Sequence, residues 1–295
     1  ERAAIRTTFN VGENEVQELM PGHAMIVKSD GTVSIEQIVE PKERKACSFE
    51  RIYFSRGSDE KIYRERIALG HNLSDTILKA VNYDLKNTIF SFIPNTAETA
   101  FYGLIKGAED YLNTIKVERI LSWGKDFDEE KLTEMVNRRI RIEKIAIKDV
   151  KLRTFITEDA SRNEMVQHVY DVTYGTVRKN EDTLVVIDDS IVRGTTLKES
   201  IIRMLSRLQP KKIIIVSSAP QIRYPDCYGI DMSKLGDFIA FRAAIALLQE
   251  RGQESVLAEL LERCKELQRN NQLHTENVVR QLYKTFTTEE ISDKI

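Results

Sequence analysis

The sequence is short of cysteine, of histidine and of net charge, and each shortage removes a class of protein. Its three cysteines, Cys47, Cys227 and Cys264, are odd in number and far apart in 295 residues, so they build no disulfide framework. Four scattered histidines offer no zinc-binding spacing. No apolar run approaches the roughly 18 residues that a membrane-spanning helix takes, and the first residues lack the pattern of a secretory signal. Charged residues make up 31% of the chain, yet the formal net charge is only -2, so no global field points to nucleic acid or to a membrane surface. Also missing are Gly-x-x-x-x-Gly-Lys-Ser/Thr and Gly-x-Gly-x-x-Gly, which excludes the common triphosphate and dinucleotide loops. A cytoplasmic enzyme with neither nucleic-acid nor membrane partners is the expectation, with length for one large domain and an appendage.

What is present centres on residues 184–196, Leu-Val-Val-Ile-Asp-Asp-Ser-Ile-Val-Arg-Gly-Thr-Thr. The four apolar residues from Leu184 to Ile187 read as a strand buried on both faces of a parallel sheet. Asp188 and Asp189 follow where that strand emerges, the edge at which open α/β sheets bind ligands. Successive strand residues point to opposite faces, so both acids meet one ligand only if the chain is already turning there. Gly194 permits a turn, Thr195 and Thr196 are good helix caps, and a helix over 197–208 presents unpaired N–H groups and a positive dipole end to a phosphate. Phosphate on the loop, with hydroxyls or a metal on the acids, describes a sugar phosphate. Taken alone, the paired acids also fit a receiver-type acidic pocket or a simple loop cap.

Along the chain, Ala24-Met25-Ile26-Val27 and Val33-Ser34-Ile35-Glu36-Gln37-Ile38 flank Ser29-Asp30-Gly31, a hairpin signal. Ile62, Leu69, Leu73, Ile77 and Val81 predict an amphipathic helix over 61–81. Residues 88–93 read as a strand, followed by Pro94-Asn95-Thr96-Ala97-Glu98-Thr99 and a helix through Ile105, a second place where amides face an anion. A strand is expected over 117–121, a helix over about 128–138, a strand over 141–147 and a buried strand over 212–216. Trp123 reads as a core or interface residue, His168 receives no role, and 237–295 is helical by pattern.

Val-Ile-Asp-Asp-Ser-Ile-Val-Arg-Gly-Thr-Thr resembles the phosphoribosyl pyrophosphate (PRPP) signature of type I phosphoribosyltransferases, in the form carried by the amidophosphoribosyltransferases. Two further stretches are similar to that family: Ser218-Ala219-Pro220-Gln221-Ile222-Arg223-Tyr224-Pro225 running to Tyr228-Gly229-Ile230-Asp231-Met232, and Cys47-Ser48-Phe49-Glu50-Arg51-Ile52-Tyr53-Phe54-Ser55-Arg56. The resemblance implies an α/β fold, a type I phosphoribosyltransferase-like parallel sheet flanked by helices, with a small N-terminal β remnant and a helical C-terminal tail. In that frame residues 1–50 are the last strands of a glutaminase domain, 51–250 the phosphoribosyltransferase domain and 251–295 the tail. The family's glutaminase cysteine is the first residue of the mature enzyme, whereas this chain starts at Glu1, so a piece of a longer protein without glutaminase activity is expected.

The implied reaction forms 5-phosphoribosylamine and pyrophosphate from PRPP and ammonia, the opening step of purine synthesis. The resemblance gives Asp188 and Asp189 to Mg2+ and PRPP, and Ser190, Ile191, Val192, Arg193, Gly194, Thr195 and Thr196 to the 5-phosphate. Asn95 and Thr96 fall in the pyrophosphate loop, and Lys148 and Arg153, with Thr154, in a catalytic loop that closes over PRPP. Purine nucleotides as inhibitors and a homo-oligomer are implied as well. Several positions depart from the family: Asn95 replaces an acid, Ala97 a hydroxyl residue, 148–156 lacks a Tyr-Val-Gly core and is one residue short, and 165–170 is nearly uncharged. These departures are expected to weaken PRPP binding or slow loop closure. Cys47 and Cys227 lie at or beside iron-sulfur ligand positions, but the C-terminal Cys-x-x-Cys is missing, so no cluster is expected. The alternatives are a regulatory protein that binds PRPP or a nucleotide without turnover, and a phosphoribosyltransferase for a free base.

Overall fold

The computed structural model describes residues 2–43, 47–48, 50–124, 128–148, 170–195, 197–225 and 232–295. Packing divides the chain into two compact units, 1–66 and 67–295, each described by itself.

The first unit opens with helix α1 (Arg2–Phe9) and continues to the hairpin of β1 (His23–Val27) and β2 (Val33–Gln37). The strands pair antiparallel with Met25 opposite Ile35 and Val27 opposite Val33. Gly31 takes the left-handed φ of +83° that the Asp-Gly turn requires, and Asp30 Oδ1 accepts from the Thr32 N–H at 2.9 Å. The Cys47 to Arg56 stretch contains a π-helical turn, Glu50–Phe54. Arg51 pairs with Glu65, and Arg66 donates to the carbonyls of Arg51 at 3.0 Å and Ser55 at 2.6 Å. Phe49 lies outside the described residues. Helix α2 (Glu60–Ala80), close to its expected span, starts in this unit and ends in the next.

The second unit is built on a four-stranded sheet ordered β4 (Arg141–Ile142), β3 (Thr88–Phe92), β7 (Thr183–Asp188), β8 (Lys212–Ser217), with every neighbouring pair parallel. Its two faces are buried by different partners, as the period-2 alternation of strands dictates. Phe90, Phe92, Val185 and Ile187 pack with α2 and with α3 (Glu98–Ser122). Ile89, Leu184 and Val186 pack on the other face with Ile201, Met204 and Leu205, at the end of the turn Leu197–Ile201 and in α5 (Ile202–Ser206). Here lies the α/β architecture expected from the run at 184–187. Helix α4 (Glu129–Asn137) is capped by Asp128, whose side chain accepts from the Lys131 N–H.

Three expectations are corrected. Residues 117–121 form no strand but the C-terminal part of the 25-residue helix α3, where Val117 and Leu121, one helical turn apart, are both exposed. The strand expected over 141–147 breaks in two: after β4 the Ile145 N–H turns to the Ser91 Oγ, and β5 (Ala146–Lys148) leaves to pair antiparallel with β6 (Tyr170–Val172) in a separate sheet. The helix expected over 197–208 begins as a π-helical turn, Leu197–Ile201, before α5. Beyond the sheet stand α6 (Ile239–Glu250), α7 (Ser255–Arg269), α8 (Val279–Lys284) and α9 (Thr288–Lys294). Ala240, Ala243, Ala244 and Leu248 of α6 share a core with Leu282, Tyr283, Phe286 and Ile291.

Candidate functional site

Strands β3 and β7 are neighbours, but the chain leaves them in opposite directions, toward β4 on one side and β8 on the other. Such a divergence opens a crevice at the carboxyl edge of a parallel sheet. Three connections meet it: residues 94–97 after β3, 189–195 after β7 and 218–224 after β8. The Ile93 N–H donates to the Ile187 carbonyl at 2.9 Å, holding the first of these beside the end of β7.

Asp188 is the last residue of β7 and pairs in register with Ser217. The Asp189 N–H donates to Asp188 Oδ1 at 2.8 Å, so the chain turns there, and Ser190 Oγ donates to Asp189 Oδ1 at 2.7 Å. Both acid backbones are pinned from the segment after β8: the Asp188 carbonyl accepts from the Ser218 N–H (2.9 Å), and that of Asp189 from the Ala219 N–H (3.0 Å) and Ser218 Oγ (3.1 Å). Burial, and then the neighbouring Asp189 charge, push the Asp188 carboxyl up to about 8. The Asp189 N–H and the charge of Lys148 oppose that rise, which brings Lys148 of β5 within electrostatic reach of the acids. The Lys148 ammonium lies 5.9 Å from the centroid of the Tyr170 ring.

The loop after the acids is fastened from outside. Its Val192 carbonyl accepts from the Ile239 N–H at 2.8 Å, its Arg193 carbonyl from Arg242 Nη2 at 2.5 Å and its Gly194 carbonyl from the Lys198 N–H at 2.9 Å. In a trans peptide the C=O and the following N–H point opposite ways. Carbonyls 192 and 193 tied to α6 therefore aim the N–H groups of Arg193 and Gly194 away from α6, the orientation of an anion-binding nest. Gly194 sits at φ +73°, and a Cβ there would come 2.7 Å from Ile239 Cδ1. The Arg193 guanidinium lies 3.9 Å from Asp237. Ser190, Ile191 and Val192 are partly buried, Thr195 is exposed, and Thr196 lies outside the described residues.

In the loop after β3, Asn95 is exposed and Thr96 partly buried, and the Pro94–Asn95 peptide is cis. Ala97 is 1% exposed and its methyl belongs to the core with Phe101 and Val185. A hydroxyl at that position would enter apolar packing. Arg153, Thr154, His168, Cys227 and residues 228–231 lie outside the described residues. Cys47 and Cys264 are free, partly buried thiols. Asp237, Ile239 and Arg242 carry no local signal beyond a generic helical pattern, because their role depends on contacts with residues more than forty positions earlier in the chain. Among the described residues no group of three or more His, Cys, Asp or Glu side chains could hold a metal by itself. Two adjacent carboxylates are hard oxygen donors, and a partly buried, mutually repelling pair gains from a cation. The set thus fits Mg2+ that completes its shell with ligand oxygens and water.

The parallel sheet flanked by helices, with the acid-bearing loop at its carboxyl edge, is the architecture of the type I phosphoribosyltransferase fold. No family model matches the chain. The amidophosphoribosyltransferase of Pseudomonas aeruginosa is 29% identical over 236 residues, which cover 78% of this chain and 40% of that protein. The Escherichia coli enzyme of the same name is 28% identical over 235 residues, again 78% of this chain and 40% of the relative. That of Saccharomyces cerevisiae is 27% identical, over 83% of this chain and 44% of its own length. Among solved structures, the glutamine PRPP amidotransferase from B. subtilis complexed with ADP and GMP superposes with a TM-score of 0.53 at 25% identity, covering 80% of this chain and 45% of that one. In sequence and in fold, then, the chain is similar to the phosphoribosyltransferase part of the amidophosphoribosyltransferases. It spans about two fifths of the length of the curated relatives it matches.

Proposed function

We propose that this chain carries the phosphoribosyltransferase half-reaction of an amidophosphoribosyltransferase: ammonia displaces pyrophosphate from the ribose C1 of PRPP, giving 5-phosphoribosylamine. The observation that carries the reading is the paired acids at the end of the central strand, followed at once by a loop whose carbonyls are tied outward. Asp188 and Asp189 would hold Mg2+, which when bound neutralises charge on the departing pyrophosphate. The acids also orient the ribose hydroxyls, while the N–H groups of the 190–195 loop hold the 5-phosphate. Lys148 adds a cation near the acids, and Asn95 and Thr96 offer polar groups to the pyrophosphate. With both ends of the substrate fixed, ammonia would attack C1 opposite the leaving pyrophosphate, so catalysis comes from positioning and electrostatics and no protein nucleophile is needed. Purine nucleotides, which share the ribose 5-phosphate group, compete for the same loop. We assign the protein to the cytoplasm, where those metabolites lie; among the described residues no helix is long and apolar enough to cross a membrane.

Pyrophosphate release from PRPP with Mg2+, measured with and without ammonium, tests the reading. Ammonium-dependent release is expected, together with its loss in the Asp188→Asn, Asp189→Asn double variant at unchanged fold by circular dichroism. Release in the double variant at the wild-type rate overturns the site. Release that depends instead on a purine or pyrimidine base overturns the reaction.

A further inference from the structure

We propose that Arg242, outside every motif of the site, is a positioning residue for the phosphate end of the substrate, acting by holding the peptide between Arg193 and Gly194 in its anion-facing orientation. The inference rests on the reading of 190–195 as the phosphate loop. It starts from a concentration of fasteners in one short segment, 237–242. Asp237 reaches the Arg193 guanidinium, the Ile239 N–H donates to the Val192 carbonyl, the Ile239 side chain covers Gly194, and Arg242 Nη2 donates to the Arg193 carbonyl. Ile239 and Arg242 stand on the first turn of α6, whose next residues, Ala240, Ala243 and Ala244, are buried in a core. The helix is therefore a fixed wall against which the loop is set.

The chemistry of the peptide group makes the Arg242 contact more than a staple. Gly194 has no Cβ, and its φ of +73° lies in a region where glycine is free to rotate to other wells. The 193–194 peptide is thus the softest in the loop, and a flip would turn a carbonyl oxygen toward a bound phosphate. The charge-assisted bond from Arg242 to the Arg193 carbonyl opposes that flip. Arg242 itself is exposed and contributes through the Arg193 carbonyl.

Calorimetry on the full chain with two probes separates this role from a general structural one: ribose 5-phosphate, which needs the loop, and magnesium pyrophosphate, which needs the acids. Arg242→Met is expected to weaken ribose 5-phosphate by about tenfold, the scale of one lost charge-assisted hydrogen bond, and magnesium pyrophosphate by less than about twofold. Without ligand, the amides of Arg193 and Gly194 should exchange faster in Arg242→Met at an unchanged melting temperature. Arg242→Lys, able to donate to the same carbonyl, should recover most of both effects. Equal weakening of the two probes, or no change in either, overturns the proposal. So does an Arg242→Lys variant that restores affinity while the amides still exchange fast, because that pattern marks a charge acting directly on the phosphate. A wild-type chain that binds neither probe defeats the functional reading instead, and the ligand-free exchange then decides the Arg242 contact by itself.

Discussion

Asp188 and Asp182 bound the same strand and titrate in opposite directions. Asp188, pushed up to about 8 by burial and by Asp189, keeps its proton in the folded chain between pH 3.8 and about 8, where the unfolded chain has lost it. The folded state binds more protons in that window, so this group lowers stability progressively as pH rises through it. Asp188→Asn removes the penalty: the variant should be more stable than wild type at pH 8 by roughly 1–3 kcal/mol, the gap widening from pH 4 to pH 8 in urea titrations without metal. A constant gap would mean that Asp188 ionises normally. At the other end, burial alone would raise Asp182, but the hydrogen bonds from Arg141 and Arg178 hold it well below the ordinary carboxylate range. Its contribution is present above pH 3.8 and is lost as pH falls toward the folded value. The Asp182 side chain is fully buried, whereas Arg141 and Arg178 reach water, so Asp182→Ala should cost about 2–4 kcal/mol by chemical denaturation, at or under the range for a broken buried pair.

Helices α2 and α3 meet backbone to backbone. A Cβ on Gly70 would sit 1.7 Å from the Ala100 carbonyl oxygen and one on Gly103 2.0 Å from that of Ile67, while one on Gly107 would strike Ser74. In an exposed helix, glycine to alanine gains about 1 kcal/mol of propensity; here the obstacle is backbone that cannot move aside, and overpacking of about 1–3 kcal/mol or more wins. Gly103→Ala should therefore lower the melting temperature, and because α3 follows the 94–97 loop directly, it should weaken magnesium pyrophosphate binding too. An unchanged melting temperature would refute the close crossing. None of this was readable beforehand, since a glycine in a helical pattern has no partner until the second helix is placed. Strands 184–187, 88–93 and 212–216 were legible because burial on both faces demands an unbroken apolar run. The failures share a physical cause. Val117 and Ile120 are β-branched residues carried by a long helix, and the break at 143–145 involves the Ser91 hydroxyl and the Phe90 carbonyl of another strand. The paired acids and the Gly194 turn could be read locally, whereas the outer wall of the loop at 237–242 could not.

Across the second unit, the tail is tied to the segment after β8 through Gln221, Arg223 and Tyr283. Gln221 Nε2 donates to the Thr288 carbonyl at 2.7 Å and to Ser292 Oγ at 2.6 Å, while its Oε1 accepts from Arg223 Nη2 at 2.7 Å. Tyr283 is nearly buried, its hydroxyl held above its usual range by that burial, and it donates to the Arg223 carbonyl at 2.9 Å with its ring edge-on to Tyr224. The segment so held begins with Ser218 and Ala219, which pin the backbones of Asp188 and Asp189. Loss of the tail contact therefore reaches the acids through three or four residues of irregular backbone that no ladder stiffens. Gln221→Ala is expected to speed amide exchange at Ser218 and Ala219 and to weaken magnesium pyrophosphate by about two- to fivefold, less than a full hydrogen bond because Tyr283 still holds the Arg223 carbonyl. Gln221→Glu, which keeps the Arg223 pair but cannot donate to Thr288, should match Gln221→Ala in exchange at α9 and fall between it and wild type at Ser218. Wild-type exchange at Ser218 in both variants would show that the tail packs on α6 without bearing on the acids.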